Sequence, residues 1–140
     1  YIEKYKKTYP AIFSWIDTIK KESEVNGFVE TLFGRKRIIS ELQDKNETVK
    51  KYGFRMAVNT IIQGTAAEIV KIGMIKLHDF LKKNEKLNAR MVLQIHDEIL
   101  IETDSENADY VASKCKEVME LSANNFETKF TVNYNIGNNW

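Results

Sequence analysis

Between Lys51 and Lys83 the chain runs without a proline, and its apolar positions Ile61, Ile62, Ala66, Ile69, Val70, Gly73, Met74, Leu77 and Leu81 fall at helical spacing. A segment with this pattern predicts one long buried helix, around which the remaining elements must be arranged. Upstream, Ile12, Phe13, Trp15, Ile16 and Ile19 predict an amphipathic helix over 8–25, with Pro10 near its start and Gly27 just past its end. Residues 27–33 are rich in Phe, Val, Thr and Leu, and they predict an extended ribbon that stops at Gly34 in a basic loop. The polar stretch 39–51, with Asp44, Asn46 and Thr48, suits a loop that ends in a helix cap.

Downstream of the long helix, 89–94 and 98–103 are two β-rich runs around His96 and Asp97, and they read as an antiparallel hairpin with its polar residues at the tip. Asp104 or Ser105 can cap a further helix through Val111, Val118, Met119 and Leu121, and the alternation over 130–136 predicts a last strand. There is no internal repeat. The order implies an α+β fold, helices packed on a small antiparallel sheet with a central β-hairpin.

With 140 residues, 43% of them hydrophobic, the chain can bury one core and is expected to be one domain or a piece of one. A formal net charge of +1 carries no preference for a polyanion, so any such preference has to come from clustering. The basic residues do cluster in the first half: Lys4, Lys6 and Lys7, then Lys20 and Lys21, then Arg35, Lys36 and Arg37, then Lys50, Lys51 and Arg55. Acidic residues gather over 98–106. The single cysteine, Cys115, excludes an intrachain disulfide framework and a cysteine-based zinc site, and is expected to be a small buried hydrophobe on a helix. No apolar run approaches the roughly 20 residues that span a bilayer, so a soluble, intracellular chain without a membrane partner is expected. The first residue is not methionine, and the chain is expected to be a fragment of a longer one.

Two groups of residues stand out chemically. His96, Asp97 and Glu98 put an imidazole and two adjacent carboxylates at the hairpin tip between strongly apolar strands. Carboxylate oxygens are what Mg²⁺ takes, usually one or two from protein with the rest from phosphates and water. Neighbouring strand residues face opposite ways, so one of Asp97 and Glu98 would be the main ligand unless the turn rotates the other. A solvated turn that merely contains these residues is the competing reading, and spacing alone does not choose.

On the long helix, Arg55, Asn59 and Gln63 stand at successive steps of four and form one polar stripe. A guanidinium forks onto phosphate while amides both donate and accept, so the stripe can follow several consecutive nucleotides. A solvent-facing helix stripe is the alternative. Gly64, Thr65, Ala66 and Ala67 follow as a small-residue patch suited to close packing, and Arg35, Lys36 and Arg37 suit backbone phosphates or simply a solvated turn.

Three segments together resemble the family A DNA polymerases, the group typified by bacterial DNA polymerase I: 27–37, reading GFVETLFGRKR, 55–68, reading RMAVNTIIQGTAAE, and 94–98, reading QIHDE. Their order and spacing also match, the resemblance covers essentially the whole chain, and the ending Gly137, Asn138, Asn139, Trp140 looks like the family's C-terminus. The resemblance implies a C-terminal polymerase segment, with about 1–54 as fingers-side helix and basic ribbon and about 55–140 as part of the palm. By the same resemblance Asp97 helps to hold two catalytic Mg²⁺ ions, Glu98 is an auxiliary ligand, and His96 is a contact near the primer terminus. Arg55, Asn59 and Gln63 become primer-template contacts, supported by Arg35, Lys36 and Arg37.

Two positions depart from the family pattern, Ile61 for a usual proline and Glu68 for a usual aspartate, and neither removes a proposed ligand. The family's first motif, with its metal-binding aspartate, and the fingers helix that grips the triphosphate are not in this sequence. Two-metal transfer needs ions held roughly 3.5 to 4 Å apart, which one aspartate does not define. The implied partners are therefore primer-template DNA, deoxynucleoside triphosphates and the upstream part of the same polymerase, and the chain alone is expected to be inactive. The rivals are a non-catalytic DNA-binding remnant, a split-polymerase subunit and a purely structural domain. A cytoplasmic setting, in a bacterium or phage, is the expectation, with an organelle as the alternative.

Overall fold

A computed structural model describes residues 2–139, and in it Pro10 divides the first helical stretch in two. The helix α1 (Ile2–Thr8) ends before Tyr9, whose φ of −126° and ψ of 61° lie outside the helical region that a following proline disfavours. Helix α2 (Pro10–Asn26) then begins on proline, where no backbone donor is needed. Gly27 stops it in the left-handed region (φ 73°), its N–H donating to the Ser23 carbonyl at 2.8 Å.

Strands β1 (Phe28–Glu30) and β2 (Lys36–Ile38) pair antiparallel in the register Phe28 with Ile38, Val29 with Arg37 and Glu30 with Lys36. The predicted basic loop is therefore largely a second strand. The chain reverses through Gly34 (φ 82°), and Lys36 and Arg37 satisfy their backbone by pairing rather than by solvation.

Helix α3 (Glu47–Lys83) runs unbroken for 37 residues. It starts before the predicted Lys51 because the Asn46 side chain accepts a hydrogen bond from the Thr48 N–H at 2.9 Å and so caps the first turn. The structure divides inside this helix into two compact units, Tyr1–Ala67 and Glu68–Trp140.

In the first unit α3 buries Gly53, Ala57, Ile61 and Thr65, each four residues from the last. Ala57 and Ile61 form a core with Val29, Ile39 and Leu42, and Ile19, Phe54 and Met56 pack around it. A short 3-10 turn (Ser40–Gln43) presses on Gly53, where an added Cβ would stand 3.1 Å from the Leu42 nitrogen. Backbone approaches that closely only where there is no side chain.

In the second unit the same spacing continues through Gly73, Leu77 and Leu81. Strands β3 (Arg90–Ile95) and β4 (Glu98–Glu102) form the predicted hairpin, and helix α4 (Ala108–Leu121) follows a 3-10 turn at Ser105–Asn107. Leu77, Leu81, Leu87, Val111 and Cys115 make the core, against which Met91, Ile99 and Ile101 of the hairpin pack. The ladder is irregular between Met91 and Leu93. Among the described residues no strand forms over 130–136. Each hairpin strand pairs only with the other, and alternation does not by itself supply a backbone partner. The Val132 N–H donates instead to Glu120 Oε1 at 2.9 Å. Trp140 of the family-like ending lies outside the described residues. The helices and antiparallel hairpins are those of an α+β fold. No described helix is long and apolar enough to cross a membrane.

Cys115 lies buried on α4, as its type suggested, and burial pushes its thiol up from 9.0 to about 11. Between those values the unfolded chain releases a proton that the folded chain keeps, so stability declines as the pH rises through that window. Cys115 is expected to resist alkylation at mildly alkaline pH until denaturant is added. Urea midpoints measured across the window should fall for the natural chain and fall less for Cys115→Ala; equal declines would show that the thiol is not the cause.

Candidate functional site

Electrostatics separates the two units. Residues 1–67 carry 12 Lys and Arg against 8 Asp and Glu, whereas residues 68–140 carry 9 against 12. The candidate polyanion contacts all lie in the first unit and the candidate metal ligands in the second.

In the first unit, Arg55, Asn59 and Gln63 are exposed on one side of α3, and the Arg55 guanidinium lies 5.8 Å from the Tyr52 ring centroid. They line an open groove of about 490 Å³ together with Met56, Thr60 and Arg37. The three basic residues of the hairpin do not act as one cluster. Alternation along β2 sends Lys36 and Arg37 to opposite faces. Lys36 pairs with Glu30 at 3.1 Å and sits 4.5 Å from the centre of the Phe28 ring. Arg37 lies opposite the buried Val29 in the ladder, hence on the face turned to α3, where Nη1 donates to Thr60 Oγ1 at 3.0 Å and Nη2 to Met56 Sδ at 3.7 Å. Arg35 sits in the turn, its backbone N–H donating to Thr31 Oγ1 at 3.1 Å. Of Lys36 and Arg37, Arg37 is the one brought to the helix stripe.

Sequence reading missed Tyr52, Met56 and Thr60 as groove residues. Met56, Thr60 and Gly64 also recur every four positions, one residue along from Arg55, Asn59 and Gln63, and that second row was the available signal.

In the second unit, Ile95 pairs with Glu98, which leaves His96 and Asp97 as a two-residue turn. His96 adopts φ 52°, a left-handed conformation that a non-glycine residue takes up at some strain, and its carbonyl accepts a hydrogen bond from the Gln94 side chain. Asp97 occupies the turn and Glu98 opens β4, and both are exposed. Other acids nearby have structural partners: Glu102 accepts a forked pair from Arg90 at 2.8 and 3.1 Å, and Asp104 accepts from Asn88 at 3.1 Å. Among the described residues no hydrogen bond or ion pair engages the side chain of Asp97 or Glu98.

The tip therefore offers hard oxygen donors that suit Mg²⁺ in kind. Two carboxylates are within the number that protein usually gives to Mg²⁺, the remaining positions being filled by phosphates and water. No group of three His, Cys, Asp or Glu side chains among the described residues is placed to hold a metal ion.

The whole chain, residues 1–140, matches the family model described as DNA polymerase family A. Over all 140 residues it is 39% identical to the thermostable DNA polymerase I of Thermus aquaticus and 40% identical to DNA polymerase I of Caldicellulosiruptor bescii. DNA polymerase I of Pseudomonas aeruginosa is 33% identical over the same span. The chain covers 16% of the length of the first two and 15% of the third. Its fold is similar to the POL domain of Pol1 from M. smegmatis in complex with DNA primer-template and dNTP. The TM-score is 0.80 at 29% identity, over 86% of this chain and 21% of that one.

The strained turn yields a direct expectation. His96→Gly should stabilise the chain by about 1 kcal/mol, because glycine enters the left-handed region without a Cβ clash. His96→Val should destabilise it by at least as much. A urea midpoint that does not rise for His96→Gly would show that the turn is not strained.

Proposed function

Because the chain belongs to DNA polymerase family A, we propose that it is the C-terminal segment of a DNA-directed DNA polymerase that extends a primer on a DNA template. The observation that carries this reading is the hairpin tip, where two exposed carboxylates stand without a cationic partner while the other acids of the hairpin are engaged. Residues 55–140 would be the palm part, with residues 1–54 on the fingers side.

In this reading Asp97 is the principal ligand for Mg²⁺, Glu98 an auxiliary one, and His96 a contact near the primer terminus. Bound magnesium would lower the pKa of the attacking primer 3′-hydroxyl and offset charge on the pyrophosphate that leaves. The left-handed His96 turns the chain so that Asp97 heads the hairpin rather than facing the core. Two rigid strands behind it keep the carboxylate in place. Arg55, Asn59 and Gln63 lie along the duplex, the guanidinium on phosphate and the amides on sugar or base edges. Arg37 adds a second cation from across the groove, Arg35 is a candidate phosphate contact in the turn, and Lys36, paired with Glu30, contributes field more than contact. Orientation and charge, not covalent chemistry, are what these residues supply.

The upstream aspartate and the triphosphate-binding helix of the family would come from the rest of the protein. The absence of a three-ligand cluster among the described residues favours a segment that is inactive alone. That observation also suits a second reading, a DNA-binding remnant or split-polymerase subunit that does not itself copy. Supplying the upstream segment and measuring extension separates the two. A cytoplasmic bacterial or phage setting, with roles in replication or repair, fits the polymerase reading.

In the complete protein, Asp97→Asn is expected to lower primer extension about a thousandfold, several kcal/mol of transition-state stabilisation, while duplex affinity stays within about threefold. Retained extension would sink the assignment of Asp97.

A further inference from the structure

We propose that Thr65 is a positioning residue for the nucleic-acid groove: with the notch over Gly64, its hydroxyl latches the β1–β2 hairpin onto α3 and so aims Arg37 at a phosphodiester of the bound duplex. The inference rests on the proposed reading of that groove as a DNA contact.

The latch joins backbone of the hairpin to a side-chain hydroxyl of α3. Thr31, just past β1, closes the hairpin turn on itself, its N–H donating to the Arg35 carbonyl at 3.0 Å and its hydroxyl accepting from the Arg35 N–H at 3.1 Å. The next N–H, that of Leu32, leaves the hairpin and donates to Thr65 Oγ1 at 3.1 Å, across 33 residues of sequence. Beside it the Thr31 methyl drops into the space over Gly64, where an added Cβ would stand 2.7 Å from Thr31 Cγ2. Thr31 and Thr65 are 5% and 7% exposed, so water is poorly placed to replace the hydrogen bond.

The consequence reaches Arg37 through the ladder. Arg37 pairs with Val29, two residues before Thr31, and shares its face toward α3. With the turn end of the hairpin pinned at Gly64 and Thr65, the guanidinium arrives at Thr60 and Met56, one helical turn and two turns back along the same row. Thr60 and the weak sulfur acceptor occupy two of its five N–H donors, and the rest remain for a ligand. A planar cation held at one edge and open at the other suits the two unesterified oxygens of a phosphodiester. Thr65 thus touches no ligand and acts only through Arg37.

Duplex affinity and its salt dependence in the complete protein test the latch. Thr65→Val is expected to weaken binding about 5- to 10-fold at low salt. It should flatten the slope of log affinity against log salt by about 0.9, the loss of one phosphate contact. Arg37→Ala should do the same, and the double variant should be no weaker than either single one. Thr65→Ser, which keeps the acceptor, should bind normally. A second route does not depend on Thr65→Val folding: Gly64→Ala should weaken binding, and adding Thr31→Ser, which removes the methyl it strikes, should restore it. An unchanged slope for Thr65→Val, additive losses with Arg37→Ala, or no rescue by Thr31→Ser would overturn the latch. If Arg37→Ala and Arg55→Ala both leave affinity unchanged, the DNA reading of the groove falls as well.

Discussion

Both units are organised by what α3 leaves out. At Gly53, Gly64 and Gly73 the helix has no side chain, and each gap is filled by something that would otherwise collide with a Cβ: the backbone at Leu42, the methyl of Thr31, and the thioether of Met119. Between the gaps, Ala57 and Ile61 in the first unit and Leu77 and Leu81 in the second give each layer its apolar floor. Glycine inside a helix costs about 1 kcal/mol against alanine, and three of them persist here because close approach returns more in packing than it loses in propensity. A four-residue spacing also winds about 40° around the helix axis per step, so within each unit the buried row drifts across the face of α3 rather than running straight along it.

Much of this was legible in the sequence, and the legible parts share a cause. The long helix, the β3–β4 hairpin and α4 are each specified by local periodicity, and each formed close to its expected limits. What failed to read through depended on backbone pairing, or on an effect felt at a neighbouring position, rather than on periodicity. Lys36 and Arg37 looked like a loop because nothing local shows that Glu30 and Val29 would pair with them. The alternation over 130–136 looked like a strand, but a strand also needs a neighbour. The break at Tyr9 was signalled by Pro10, whose effect falls on the residue before it rather than on its own position.

For the candidate site the division is similar. The Arg55, Asn59 and Gln63 stripe and the His96, Asp97 and Glu98 tip are short-range patterns, visible from spacing. Their surroundings were not visible. That Lys36 would be spent on Glu30 while Arg37 crosses to Thr60 follows from strand pairing, and the sequence triplet alone treats the three cations as equals. The strain at His96 likewise belongs to the two-residue turn, which is defined by the pairing of Ile95 with Glu98 and not by histidine itself.

The irregularity between Met91 and Leu93 bears on how this hairpin avoids unwanted association. A two-stranded sheet has two outer edges, and a straight, apolar outer edge is a template for strands of other molecules. Val92 and Leu93 are 52% and 45% exposed, which makes β3 the more hazardous edge. The extra residue interrupts its row of donors and acceptors midway and increases the local twist, so an incoming strand finds only short stretches in register. An interruption at this position works against the addition of a further strand along β3.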